Sequence, residues 1–171
     1  MSETTDGALR ALVDKEEIRE VLRLYCRAFD RWDWELARSL FHPDAHDDHG
    51  VYQGSALGLI EHAESILKTW ESHQHSLGTV IVELDGDVAH TEAYFVARSL
   101  RKGPEGDGEI VSEMYGRYVD RFERRDGAWK IARRTTVLDF RDSHERLPVD
   151  AADAQFTQGR RDRSDAAYQR S

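Results

Sequence analysis

The chain has 171 residues, with 33 acidic against 24 basic side chains and a formal net charge of -9; nucleic acid and anionic membranes, which need clustered Lys and Arg, are not its expected partners. Its one cysteine, Cys26, excludes an intrachain disulfide and any multi-cysteine zinc module, and suits a reducing compartment. The length fits one domain around one core, no apolar run nears the roughly 20 residues that span a bilayer, and the start, MSETTDGALR, lacks the apolar centre of a signal peptide, so a cytoplasmic protein is expected.

The spacing predicts an amphipathic helix over residues 14–29, where Ile18, Val21, Leu22, Tyr25, Cys26 and Phe29 recur at steps of three and four, with Asp14 and Glu17 placed as a capping box. A short second helix is expected over 33–40, ended before Pro43, which disfavours helix at His42. A third follows over 55–69, with Leu59, Ile60, Ala63, Ile66, Leu67 and Trp70 at helical spacing. The period then changes. Segments 76–84, 88–100, 110–124 and 128–140 are rich in Val, Ile, Tyr, Phe and Thr, and Asp85-Gly86, GPEGDG and Asp126-Gly127 separate them. They read as long antiparallel strands joined by hairpins. Helices followed by a meander indicate an α+β domain with the helices on one face of the sheet, over residues 1–141. The charged remainder, 142–171, contains QGRRDRSD and no sustained apolar period; it is expected as a mobile extension or an arm on a partner subunit.

Three features carry candidate chemistry. Asp30 lies four residues after Cys26 and eight after Leu22, so its carboxylate shares the inward face of the first helix, where an acid needs a partner. It either caps the helix end or orients a base in a pocket. His73 and His75, in ESHQHSLG, share one side if the chain is already extended there. The stretch HPDAHDDHG, residues 42–50, packs three histidines and three aspartates together. On a strand its side chains alternate, so either His46 with Asp48 or Asp47 with His49 can line a cavity. As a metal site, His46 and Asp48 would form the H-x-D half of a facial triad completed by His73, His75 or His90, but that motif is weak and no metal is expected.

A helix ending in Asp, a short helix, LFHPDA, a third helix, HSLG and the hairpin YVDRFERRDGAWKIARRTTVLDF, in that order, resemble the SnoaL-like branch of the NTF2-like superfamily over residues 12–140. The resemblance implies a cone-shaped α+β fold with N-terminal helices packed on a strongly curved antiparallel sheet. The chain looks most like the cofactor-independent lyases typified by scytalone dehydratase and hexachlorocyclohexane dehydrochlorinase. In those enzymes an Asp at the end of the first helix pairs with a His opening the strand after the third; Asp30 and His75 match them. The dehydrochlorinase has an arginine that matches Arg134, with adjacent Arg133 one step off in register, and a lysine where this chain has Tyr25, an unlike polar group that points to a different leaving group or substrate. By the same comparison His46 and Asp48 are the inward pair, with Tyr52 at the rim.

The resemblance implies a cofactor-independent lyase or dehydratase that eliminates water, or cleaves a carbon-carbon bond, through the dyad of Asp30 and His75. Tyr25, His46, Tyr52 or Arg134 would act as acid or anion stabiliser, and Tyr25, His46, Asp48, Tyr52, Trp70, Tyr94 and Arg134 are the expected substrate-binding residues. The substrate is expected to be small, mainly apolar and aromatic, such as a lignin-derived diaryl compound. The superfamily also holds isomerases, polyketide cyclases, dioxygenase small subunits and ligand-binding proteins, which remain the alternatives. A homodimer or homotrimer is expected.

Overall fold

The computed structural model describes residues 3–103, 108–148 and 150–169; four residues of the expected GPEGDG turn, 104–107, lie outside the described residues. Helix α1 spans Glu3–Arg31 and starts well before the expected capping box. Residues 3–13 include Glu, Ala, Leu and Arg, good helix formers that carry the helix past Asp14. Asp14 is instead a buried mid-helix group: it accepts hydrogen bonds from Arg124 Nη1 (2.6 Å) and Trp129 Nε1 (3.1 Å), tying the helix to the last hairpin. Ile18, Leu22, Tyr25 and Phe29 bury the inward stripe that the spacing predicts.

The helix stops where Trp32 turns left-handed (φ 55), which lets Asp33 N–H reach back to the Ala28 carbonyl at 2.9 Å. Asp30 is thereby fixed in the last turn. Asp33 then caps α2 (Trp34–Ser39) by accepting from Leu36 N–H, and Ser55 caps α3 (Ala56–Leu67) by accepting from Gly58 N–H.

The strands are β1 (Phe41–Asp48), β2 (Gln53–Ser55), β3 (Trp70–Asp85), β4 (Val88–Lys102), β5 (Glu109–Arg125) and β6 (Ala128–Glu145). They form one sheet in the order β2-β1-β6-β5-β4-β3. All neighbours are antiparallel except β1 and β6, which run parallel, so the fold is the expected α+β arrangement of helices on a curved, open sheet. Asp126 and Gly127, both at positive φ, close the last hairpin as that turn chemistry requires. Strand β3 begins six residues before the expected position, which places His73 and His75 inside it.

Two irregularities position the site. Opposite Arg121 and Phe122 of β5, β6 carries one extra residue, Ala132, so the inward phase set by Trp129 and Ile131 passes to Arg134 and leaves Arg133 exposed. In β1 the pairing with β6 shifts between Phe41 and His46. Phe41, Ala45 and Asp47 are buried there and His46 is exposed.

Strand β6 runs through the expected domain boundary to Glu145. The tail packs back on the end of α1 and the start of β3: Arg161 donates to the Trp70 carbonyl (2.7 Å) and lies 4.3 Å over the Trp32 ring, and Arg31 pairs with Asp165. Cys26 is a core residue whose thiol burial pushes up to about 12, so it is no nucleophile. Among the described residues no helix is long and apolar enough to cross a membrane.

Candidate active site

Strand β3 lies at the sheet edge, so its N–H groups facing α1 have no strand to bond. Asp30 fills that gap. Both its carboxylate oxygens accept from His75 N–H at 3.0 Å, and Oδ1 also accepts from His75 Nδ1 at 2.8 Å. A proton on Nδ1 is thus directed at the carboxylate, and in the neutral ring Nε2 is then the atom with the lone pair. Both side chains are largely buried.

His75 lines a cavity of about 290 Å³ enclosed by α1, α3 and the inner sheet face. Its walls are mostly apolar, with Phe29, Leu59, Trp70, Phe95 and Met114 beside Tyr25 and Tyr118. Tyr118 stacks on Phe95 with centroids 4.2 Å apart, and Tyr25 meets Tyr118 edge-on at 5.3 Å. Burial raises the pKa of both tyrosines well above the ordinary phenol value, so each offers a neutral hydroxyl.

Behind these rings lies Arg134, 4.0 Å from the Tyr25 centroid and 4.1 Å from that of Tyr118, fully buried and bonded twice to Asp120 (2.8 and 2.6 Å). Burial opposes its charge, but Asp120 outweighs that and keeps the guanidinium protonated. Arg134 points inward as expected yet is screened from the cavity by the tyrosines it supports.

The β1 residues reverse the expected phase. His46 is exposed, and Asp48 turns aside to accept from Gly50 N–H; the inward pair is Asp47 and His49. Asp47 is fully buried, His49 lines the cavity, and their Oδ1 and Nδ1 atoms lie 3.0 Å apart. The signal was present: Phe41 and Ala45 are the apolar residues of the odd-numbered phase, which continues to Asp47 and His49.

Two further expectations are corrected. Tyr94 faces the opposite side of the sheet, because β4 alternates regularly and Phe95 is the inward neighbour. Tyr52 stands behind the wall: its hydroxyl donates to the Ser55 carbonyl and its ring stacks on His62, which does line the cavity. Gly58 makes room for it, since a Cβ there would collide with the Tyr52 hydroxyl. Tyr25 and Trp70 lie in the wall as expected, and Phe29, His49, His62 and Tyr118 are additional lining residues.

His73 sits beside His75, ring centroids 4.5 Å apart. Burial, reinforced by His75, drives its pKa from the ordinary 6.5 down to about 2, so it stays neutral. Nδ1 of His73 is buried without a partner. Asp30, His73 and His75 bring one ligand atom each within 4.8 Å of the others, the donor set of a two-histidine, one-carboxylate metal site. Among the described residues His46, Asp48 and His90 belong to no such cluster. Beyond His73 the cavity meets a polar annex lined by Ser99, Ser112, Ser143, Arg101 and Arg141.

Comparison with known proteins agrees with this architecture. An uncharacterized protein of Mycobacterium tuberculosis, Rv2910c, is 29% identical over 135 residues, covering 74% of this chain and 86% of its own. Among solved structures, the type 3 hexachlorocyclohexane dehydrochlorinase of Novosphingobium barchaimii superposes with a TM-score of 0.69 at 17% identity, over 83% of this chain and 99% of that one. A protein of Novosphingobium aromaticivorans, proposed to be a scytalone dehydratase, gives 0.68 at 19% identity over 77% and 88%. Enzymes with dehydratase and dehydrochlorinase names therefore share the fold. With the SnoaL-like domain matching residues 10–135, this chain belongs to the SnoaL-like family of the NTF2-like superfamily.

Proposed function

We propose that the protein is a lyase that eliminates water, or an equivalent leaving group, from a small, mainly apolar ring compound by acid-base chemistry. The observation that carries this reading is His75, held at Nδ1 by the buried Asp30 while Nε2 is left to a largely apolar cavity. Neutral His75 takes a proton from a carbon next to an electron-withdrawing group, and Asp30 stabilises the imidazolium that forms. The electrons released form the double bond as the leaving group departs. In this reading Tyr118, a neutral hydroxyl of the cavity wall, serves as the hydrogen-bond donor to a developing oxyanion, and Tyr25, whose hydroxyl meets Arg134, supports it from behind. General acid-base help of this kind is worth roughly 100 to 10,000-fold in rate.

The cavity volume sits at the lower end of small-molecule sites and suits one ring or a fused bicycle better than an extended diaryl compound. The annex with Arg101 and Arg141 suits a polar or anionic substituent at one end of the substrate.

The test is chromatographic turnover of a panel of fused-ring hydroxy ketones, diaryl-propane diols, ketosteroids and chlorinated cyclohexanes by EDTA-treated protein, beside His75→Gln. Product from the wild type alone supports the lyase. Product equal in the two proteins removes His75 as the base. A second reading rests on the cluster of Asp30, His73 and His75, which could hold a divalent metal acting as a Lewis acid. Activity lost on chelation and restored by iron(II) or zinc would favour it.

A further inference from the structure

We propose that His49 is a second catalytic residue, the general acid that protonates the leaving group on the side of the cavity facing the base. The inference rests on the lyase reading of His75 and deepens it. His49 and His75 line the same cavity, and their rings lie at near-equal distances from Tyr118, 6.3 and 6.4 Å between centroids. Each is held at Nδ1 by an aspartate, His75 by Asp30 at 2.8 Å and His49 by Asp47 at 3.0 Å, which leaves Nε2 as the ring nitrogen that can meet a substrate. Thr136 Oγ1, 3.1 Å from His49 Nδ1, fixes the ring from β6. A cavity with two aspartate-backed imidazoles has room for one base and one acid.

The charges around His49 decide which it is. Asp47 and Asp120 are 0% and 2% exposed, and Arg134, which stands opposite Asp47 in the β1–β6 register, makes its two hydrogen bonds to Asp120 alone. Asp47 Oδ2 and Arg134 Nη1 both lack partners. Two buried carboxylates thus face one guanidinium; burial raises the Asp120 carboxyl above its ordinary range, and a positive charge beside Asp47 lowers the cost of keeping both carboxylates buried. His49 is the group against Asp47 that can supply it. The other groups facing this region, Tyr25 and Tyr118, stay neutral, as does His73 across the cavity. Asp30, by contrast, spends both oxygens on His75 N–H as well as on the ring, which suits a neutral base that becomes charged only during the reaction.

The step balances. His75 Nε2 takes the carbon-bound proton, the C–H electrons become the double bond, and the carbon-oxygen bond breaks. The departing hydroxide takes the proton from His49 Nε2 and leaves as water. The protein returns to its starting state when His75 gives its proton to solvent and His49 regains one.

A general acid matters for hydroxide and not for a leaving group that departs as a stable anion. The experiment compares the full-length wild type, His49→Gln and His75→Gln on β-hydroxytetralone, which loses water, and β-acetoxytetralone, which loses acetate, both read by fluorescence of the naphthol formed. The expected result is a loss of about 100-fold or more for His49→Gln on the hydroxy compound, with the acetoxy compound within about fivefold of wild type, while His75→Gln loses both. Asp47→Asn, which keeps its volume, gives the same leaving-group-dependent loss and stands in if His49→Gln does not fold. Equal losses on the two compounds, or no loss on either, overturn the assignment of His49 while leaving His75 untouched. No turnover of either compound by the wild type overturns His49 as an acid for β-hydroxy ketones, while the lyase reading stands or falls separately on the wider substrate panel.

Discussion

The two aspartate-histidine pairs are the same chemical unit built in two ways. Asp30 and His75 lie 45 residues apart and meet only because α1 ends against the edge strand β3. Asp47 and His49 lie two residues apart on one strand and meet because strand side chains alternate. The first pair therefore depends on the fold and also completes it, since the carboxylate satisfies an edge N–H that the sheet leaves open. The second depends on its strand phase and on the buried charges beside it. The long-range pair is therefore a structural joint as well as a dyad, whereas the local pair joins no two elements.

Cutting the first pair is expected to have the largest effect. Asp30→Asn should lower kcat about a thousandfold on any leaving group, because the amide neither fixes the His75 tautomer nor stabilises its imidazolium. It should also lower the melting temperature, as the edge N–H of His75 loses a charged acceptor. Asp47→Asn should lower turnover for hydroxide loss alone and leave the melting temperature closer to wild type. Calorimetry beside steady-state kinetics checks both halves; a melting loss as large for Asp47→Asn as for Asp30→Asn would break the distinction.

The support that the two sites share comes next. Arg134→Met leaves Asp120 buried without its cation and should cost roughly 3 to 5 kcal/mol in urea unfolding. Replacing both partners, Arg134→Met with Asp120→Leu, should recover a good part of that loss, since the uncompensated charge is then gone. A double variant as unstable as the single one would show that the tyrosines need the guanidinium itself.

His73, between the annex and the first pair, gives a smaller, pH-dependent effect. In the unfolded chain it titrates near 6.5, and in the folded protein near 2, so the unfolded state binds more protons between those values. Stability therefore falls as pH drops below about 6.5, by at most about 1.4 kcal/mol per pH unit from this one group. His73→Phe should remove that part and narrow the acid loss by at most about 2 kcal/mol at pH 5. Parallel urea melts at pH 7 and pH 5 read it; identical pH dependence in the two proteins would show that His73 titrates normally.

How much of this could be read in the sequence follows the same division. The inward face of α1, the later hairpins and the positions of Asp30 and His75 were legible, because helical spacing and turn residues are local signals and the family order supplied the long-range partner. Arg134 was legible by resemblance, but its separation from Arg133 was not, since one bulged residue at Ala132 changes the phase and a bulge leaves no composition signal. Tyr94 failed for the opposite reason. Its strand is regular, and Phe95 beside it could not share its face. In β1 the apolar anchors Phe41 and Ala45 pointed to the right phase, while the acidic and histidine-rich run drew attention to His46 and Asp48 instead.

That run supplies the smallest expected effect and the sharpest control. His46 is three residues from His49, on the same strand, with the same ring, but it is exposed on the other face and pairs in register with Ser55 and Arg133, away from the cavity. His46→Ala should leave turnover of both leaving groups within about twofold and stability within about 0.5 kcal/mol, as for most exposed positions. Paired with His49→Gln, it separates the content of the HPDAHDDHG stretch from its placement. A loss confined to His46→Ala would mean that β1 is held in the other phase when substrate binds. A loss confined to His49 places the chemistry on the face that Phe41 and Ala45 anchor.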